Sequence, residues 1–139
     1  MIQKMGKRLK DQRGLTLIEL LAVIVILGII AAIAIPSIGN IIAKSKFDAS
    51  KADAIQILNA ADLYMTETGT TSETGITADK LSTYVKEVNN LDTGWTVDIE
   101  AGTPKINATT KNPKKDGNKH TWAKATKSDV DRTEYKTAT

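Results

Sequence analysis

The chain passes from a polar start into an almost unbroken series of apolar residues. Between Leu15 and Ile35 the polar side chains are Thr16 and Glu19, within a run of twenty-one residues. A helix of that length spans roughly 30 Å at about 1.5 Å per residue, which matches the hydrocarbon core of a bilayer. The pattern predicts a membrane-spanning helix near the amino terminus.

Beyond this run the apolar positions thin out to helical spacing, which continues to Met65 and includes Ile38, Ile41, Ile42, Ala49, Ala52, Ile55, Leu58 and Ala61. Gly69 and the polar run around it end the pattern. We predict one helix over residues 15–66. Its first half, 15–36, would lie in the membrane, and its second half, 37–66, would be amphipathic.

Pro36 and Gly28 interrupt the predicted membrane half. Pro36 has no backbone N–H, and its ring clashes with the carbonyl of Ala32, so a kink is expected near residues 32–36. Membrane helices tolerate both residue types better than soluble helices do.

The pattern over residues 67–139 predicts a small globular head. Thr77 is a candidate N-cap for a short helix over 78–89, which would bury Leu81, Tyr84, Val85 and Val88. Alternating apolar positions then predict strands in "WTVDI", "KINATT" and "HTWAKA", separated by turns at "EAGTP" and "NPKKDGN". The last dozen residues are interpreted as a loose tail. The fold class is therefore α+β, with an antiparallel sheet of about three strands packed on the long helix.

The net charge of +3 is distributed unevenly. Residues 1–14 carry five basic side chains and one acidic one, residues 15–102 carry five and eleven, and residues 103–139 carry nine and four. The basic leader predicts a cytoplasmic amino terminus, so that the head is exported. We expect the tail lysines to pair with the acidic middle of a neighbouring subunit. Binding of DNA or an anionic surface polymer is the weaker alternative for Lys111, Lys114, Lys115, Lys119, Lys124 and Lys127.

The chain offers little reactive chemistry. It contains no cysteine, which excludes disulfides and thiolate catalysis. His120 is the single histidine, has no obvious catalytic partner nearby in the sequence, and is interpreted as a surface residue. Asp129 and Asp131 are too few carboxylates to predict a metal site. We expect no enzymatic activity and no cofactor.

Glu19 is the residue that a simple anchor explains least well. An ionisable side chain within a membrane segment disfavours insertion and indicates a function. Three simpler interpretations are an ordinary signal anchor whose glutamate reaches the interface, a signal peptide cleaved after Ala34, and a buried helix of a soluble protein. The apolar run exceeds the 7–15 residues typical of a signal peptide, and its length and flanking charges disfavour a buried helix.

The stretch "RGLTLIELLAVIVILGIIAAIAIPS" resembles the amino-terminal segment of type IV pilins and pseudopilins. A basic leader, a glycine, a threonine, a glutamate and a proline stand at the spacing of that family, at Gly14, Thr16, Glu19 and Pro36. Leu15 is a departure, because that family usually has phenylalanine there. The resemblance implies a pilin-like fold, and it implies that a prepilin peptidase cleaves after Gly14 on the cytoplasmic side. The same peptidase would methylate the new amine of Leu15, with S-adenosylmethionine as the methyl donor.

The same resemblance implies a role for Glu19. In a filament, the terminal amine of Leu15 would enter an apolar bundle, where an unpaired charge is costly. Glu19 of a neighbouring subunit would neutralise it and fix the axial register, as polar groups do in coiled coils. The section from Gly28 to Pro36 would lose helical structure in the filament and give an extensible joint.

The function implied is that of a structural subunit of a type IV pilus-like filament, a homo-oligomer made from a single-pass membrane precursor. Its partners would be the prepilin peptidase, an assembly platform protein with its ATPase, and the inner membrane. Two alternatives stay open: a pseudopilin of a DNA-uptake or type II secretion system, and a membrane-anchored binding module. The missing cysteine pair and the lack of an evident calcium site favour the pilus subunit.

Overall fold

The computed structural model describes residues 16–112 and 117–135. Its contacts divide the chain into two units, residues 1–38 and 39–139. The described elements, in chain order, are α1 (Leu17–Thr68), β1 (Glu73–Ile76), α2 (Ala78–Leu81), β2 (Thr96–Glu100), β3 (Thr103–Thr109), β4 (Thr121–Ala125) and α3 (Lys127–Arg132). A long helix packed against a small antiparallel sheet is the predicted α+β, pilin-like class.

The helix α1 continues through Pro36 and ends close to the predicted residue. Gly69 follows it with a φ of 71°, and its N–H donates to the carbonyl of Met65 at 2.8 Å. Glycine adopts this left-handed conformation without steric cost, which makes it a suitable residue to end a helix. The predicted kink and the predicted extensible joint remain predictions.

The sheet has the order β1-β2-β3-β4, and all of its pairings are antiparallel. Strands β2, β3 and β4 match the three predicted ones. The estimate of about three strands missed β1, because its sequence, "ETGI", shows no alternation of apolar and polar residues. A side chain of the next strand helps to hold β1, since Asp98 accepts a hydrogen bond from Gly75 N–H at 2.8 Å. The predicted turn at "NPKKDGN" falls partly on residues 113–116, which lie outside the described residues.

The core of residues 39–139 lies between one face of α1 and one face of the sheet. The helix contributes buried apolar side chains about one turn apart, including Phe47, Ala54, Ile57, Leu58 and Ala61. The sheet contributes the inward positions of its strands, including Ile76, Val97, Ile99, Ile106 and Trp122. Four strands and one long helix cover each other's apolar faces, as a small sheet requires for stability.

The predicted helix over 78–89 is wrong beyond Leu81. The N–H groups of Tyr84 and Val85 both donate to the Leu81 carbonyl, and no helix is assigned after that turn. Further along, the N–H groups of Asn89 and Asn90 bind the Asp53 carboxylate of α1. These two N–H groups thus donate to a side chain of α1 and not to a carbonyl of a helix. Of the four apolar side chains predicted to be buried there, Leu81 and Val85 are buried, and Tyr84 and Val88 are partly buried.

The predicted loose tail is also wrong, because it contains α3. Thr126 Oγ1 accepts a hydrogen bond from Asp129 N–H at 3.4 Å, and the Asp129 carboxylate accepts one from Thr126 N–H at 3.0 Å. This reciprocal capping box starts the helix. Val130 then fixes α3 to the core, where it is completely buried.

Both outer pairings of the sheet are irregular. The register of β1 against β2 shifts between Glu73 and Ile76, and that of β3 against β4 shifts between Ile106 and Ala108. At the second shift, Lys124 adopts a φ of 50°, which is unusual for a side chain other than glycine.

Candidate functional site

The residues predicted to form the processing site lie at the edge of the described chain. Gly14 and Leu15 fall outside the described residues, which begin at Thr16. The site described below therefore consists of the first turn of α1 and the helix surface that follows it.

Glu19 is held by Thr16 through a reciprocal set of hydrogen bonds. Its Oε2 accepts from Thr16 N–H at 2.8 Å and from Thr16 Oγ1 at 3.0 Å. In return, Glu19 N–H donates to Thr16 Oγ1 at 3.3 Å. This is the capping-box pattern, in which a threonine and a glutamate three residues later satisfy donors at the start of a helix. The spacing T-x-x-E in the sequence is the local signal that predicts this capping box.

The surface that follows Glu19 is apolar on every side of the helix. Every described residue from Thr16 to Ile33 is exposed, and so are its large apolar side chains, such as Leu17 at 88% and Ile33 at 73%. A Cβ built onto Gly28 would meet no atom within 4 Å. A helix that is apolar all round requires either lipid or other helices around it. Helix α1 is long and apolar enough to cross a membrane, the one such helix among the residues described.

His120 is not the isolated surface residue that was predicted. It is half-buried, and its ring lies edge-on to Phe47 of α1 and to Trp122 of β4, with centroid distances of 5.7 Å and 4.9 Å. Its backbone N–H donates to Thr110 Oγ1 at 3.0 Å. His120 therefore belongs to an aromatic cluster that joins the sheet to the helix.

Three of the tail lysines form ion pairs within their own chain, and their pairing with a neighbouring subunit stays a prediction. Lys119 Nζ lies 2.7 Å from Asp92 Oδ2, and Lys124 Nζ lies 2.7 Å from Glu100 Oε1. Lys127 forms an ion pair with Asp62 of α1. Lys114 and Lys115 lie outside the described residues. The acidic middle of the sequence thus binds the basic tail in the folded head. This pairing reduces the positive charge available to nucleic acid.

Glu100 forms ion pairs with two lysines. Lys105 and Lys124, each with its Nζ 2.7 Å from a Glu100 carboxylate oxygen, hold the pKa of that carboxyl at about 2, against an ordinary 4.5. The pair of lysines favours the charged form by hydrogen bonding and by charge. The group lies on the outer face of the sheet and links β2, β3 and β4.

Metal ligands do not cluster in residues 16–112 and 117–135, where no group of three or more histidine, cysteine, aspartate or glutamate side chains is placed to hold an ion. In the same ranges, every buried side-chain nitrogen or oxygen has a hydrogen-bond partner. The most distinctive arrangement is therefore a single carboxylate at the start of a fully exposed apolar helix.

Comparison with known proteins identifies the amino-terminal segment. Residues 9–35 match the family described as the prokaryotic N-terminal methylation motif. The chain is 43% identical over 61 residues to type II secretion system core protein G of Vibrio cholerae, a match covering 42% of this chain and 40% of that protein. It is 45% identical over 56 residues to the Escherichia coli protein of the same name, covering 38% and 37%, and 38% identical over 76 residues to that of Klebsiella michiganensis, covering 51% of each.

The chain matches between 37% and 51% of the length of each of these relatives. No solved structure matches the chain. The resemblance to type IV pilins and pseudopilins is confirmed.

Proposed function

We propose that this chain is the repeating subunit of a helical filament of the type IV pilin kind. It is made as a single-pass membrane precursor, cleaved after Gly14 by a prepilin peptidase and methylated on Leu15. Exposure of the apolar first half of α1, with Glu19 as its charged residue, is the observation that carries the proposal. The methylation motif at residues 9–35 supports it independently.

Glu19 acts at two stages in this proposal. In the single subunit, Thr16 occupies its Oε2 and starts the helix. Oε1 makes no hydrogen bond to any described residue, so it is available to a further donor. In the filament, the terminal amine of Leu15 from a neighbouring subunit supplies that donor.

Charge pairing then determines how the helices stack. Desolvation of an isolated charge costs several kcal/mol, so a stagger that separates the amine from the carboxylate is disfavoured. The apolar side chains around the helix provide contact area without selecting one register. Glu19 and Leu15 thus specify the axial position of each incoming subunit, and an assembly platform protein with its ATPase would drive subunits out of the inner membrane.

Three kinds of filament fit these features. The names of the relatives favour a pseudopilus of type II secretion, one of the alternatives that the sequence leaves open. A surface pilus, which the absence of cysteine favours, and a DNA-uptake pseudopilus share the same assembly chemistry. Deletion of the gene separates them: loss of a secreted protein indicates the secretion pseudopilus, loss of surface fibres the pilus, and loss of transformation the DNA-uptake filament.

Mass spectrometry of the amino terminus tests the common part of the proposal. Protein from wild-type cells should begin at a methylated Leu15, and a Gly14→Val variant should keep the complete leader. An intact Met1 in the wild type, or a chain that begins at Ile35, would contradict processing of the prepilin kind. A membrane-anchored binding module, the alternative from another class, predicts no cleavage after Gly14.

A further inference from the structure

Three lysines follow the apolar part of α1, and they are used differently. Lys51 turns toward the head, where its Nζ donates to the Asp131 carbonyl at 2.6 Å. Lys44 and Lys46 are exposed, and neither ammonium forms an ion pair with a described residue. The lysines of the described head that do form ion pairs are Lys80, Lys105, Lys119, Lys124 and Lys127.

The exposed apolar surface of α1 extends beyond the predicted span. Ile38, Ile41 and Ile42 are exposed by 53%, 64% and 51%. From Leu17 to Ile42 the helix has a contour length of about 39 Å. A hydrocarbon core is about 30 Å thick, and the headgroup layers bring a bilayer to roughly 40–45 Å. The apolar segment is therefore long enough to reach into a headgroup layer.

We infer that Lys44 and Lys46 bind the phosphates of anionic phospholipids in the outer leaflet while the subunit is held in the membrane. This inference rests on the membrane precursor of the proposed function. The two lysines come directly after the last of the three exposed isoleucines, which is where a helix emerging from lipid meets the phosphates. Lysine side chains reach the interface in this way because the stem is apolar and the ammonium is charged.

The packing of Phe47 sets the direction of both lysines. Phe47 is 4% exposed in the core of the head, which fixes the rotation of α1 at this point. Lys44 and Lys46 are two residues apart, so they lie on nearly opposite sides of the helix and differ by about 3 Å along its axis. They contact lipids on both sides of the helix at one depth.

This arrangement fits lipid phosphate better than a single anionic protein surface. One flat partner would contact one side of the helix and leave the other lysine in water. A leaflet reaches the helix on both of the sides that the head leaves uncovered, so both ammonium groups find phosphates. Each lysine near an anionic leaflet is expected to favour anionic over neutral lipid by up to about fivefold.

Electron paramagnetic resonance of spin-labelled lipids tests the inference on the complete chain. The protein is reconstituted in vesicles of phosphatidylcholine with 30% phosphatidylglycerol, and its preference for labelled phosphatidylglycerol over labelled phosphatidylcholine is measured. The Lys44→Gln/Lys46→Gln variant should lose preference by several-fold relative to the wild type. Lys44→Arg/Lys46→Arg should keep it, because arginine retains the charge.

The matched control is Lys86→Gln/Lys111→Gln, which removes two exposed head lysines that also lack an ion pair among the described residues. It should behave as the wild type. The basic leader contributes equally to every variant, so it cancels in the comparison. Equal preference in the wild type and in Lys44→Gln/Lys46→Gln would overturn the inference while leaving the filament proposal intact. Absence of motionally restricted lipid in all variants would instead contradict the membrane-held precursor.

Discussion

The carboxylate of Asp53 on α1 binds both nitrogens of Asn90. Its Oδ2 accepts from the Asn90 backbone N–H at 2.9 Å and from Nδ2 at 3.1 Å. The Asn90 carbonyl in turn accepts from Ser50 Oγ at 3.0 Å and from Lys111 N–H at 2.9 Å. One residue of the loop before β2 is thereby joined both to the helix and to the end of β3.

Replacing Asp53 with alanine should destabilise the head. The substitution leaves the donors of Asn89 and Asn90 without their charged acceptor, and hydrogen bonds of that type contribute about 1.5–3 kcal/mol each. Because the site is half-exposed and water replaces part of the loss, we expect about 2 kcal/mol in total. Urea unfolding in detergent, followed by fluorescence of Trp95 and Trp122, measures the change. Asp48→Ala, at an exposed position on the same helix, should change the free energy of unfolding by less than about 0.5 kcal/mol.

The two roles proposed for Glu19 are separable by substitution. Glu19→Gln keeps an oxygen that accepts from Thr16, so the first turn of α1 should form, but it removes the negative charge. We expect normal processing, confirmed by mass spectrometry, together with loss of filaments in sedimentation and electron microscopy. Thr16→Ser should assemble, because serine retains the hydroxyl. Wild-type filament yields from Glu19→Gln would show that charge pairing is not what sets the register.

Acid should weaken the head partly through Glu100. Its pKa is about 2 in the folded chain, below the ordinary 4.5. A carboxyl with a lowered folded pKa stabilises the protein above the unfolded pKa, and this contribution disappears as pH falls from about 4.5 to about 2. Glu100→Gln should therefore unfold more easily than the wild type at pH 7, and the difference should vanish near pH 2. Thermal melts across that range give the comparison, and Glu87→Gln, which removes a carboxylate at an exposed loop position, is the matched control.

A substitution in the turn between β2 and β3 should stabilise the head. Ala101 and Gly102 have φ values of 49° and 74°, the left-handed pair that tight hairpin turns require. Alanine adopts this conformation at a cost of about 1 kcal/mol, whereas asparagine is favoured there. Ala101→Asn should raise the melting temperature by about 4 °C or more. The same replacement at Ala123, an exposed strand residue without a positive φ, should not raise it.

Elements with a regular pattern were predictable from the sequence, and those created by side-chain contacts were not. The long helix and the strands β2 to β4 follow from apolar periodicity. Strand β1 is held in part by Asp98 of the next strand. The loop after α2 is held by Asp53, which is more than thirty residues from the Asn89 and Asn90 donors that it binds. Neither contact leaves a local signature. Helix α3 did leave one, in the T-x-x-D pattern that starts at Thr126.

Part of the candidate site was predicted, and the same distinction between local patterns and distant contacts explains which part. Glu19 stood out because a carboxylate is rare in an apolar run. Its hydrogen bonds with Thr16 are local and were available from the T-x-x-E spacing. The ion pairs of Lys124 with Glu100 and of Lys127 with Asp62 could not be predicted from the sequence. They depend on how the sheet and α3 pack against acidic residues that are distant along the chain.

The irregular borders of the sheet bear on how the proposed filament subunit avoids amyloid. Strand edges with continuous, unpaired backbone groups recruit further strands, and bulges or twisted residues prevent that addition. Here β1 contains Gly75 with a φ of 68°, and β4 contains Lys124 in a similar conformation. Neither border therefore presents a straight row of unpaired backbone N–H and C=O groups with which a strand of a second copy could pair. These irregular edges thereby disfavour growth by cross-β stacking.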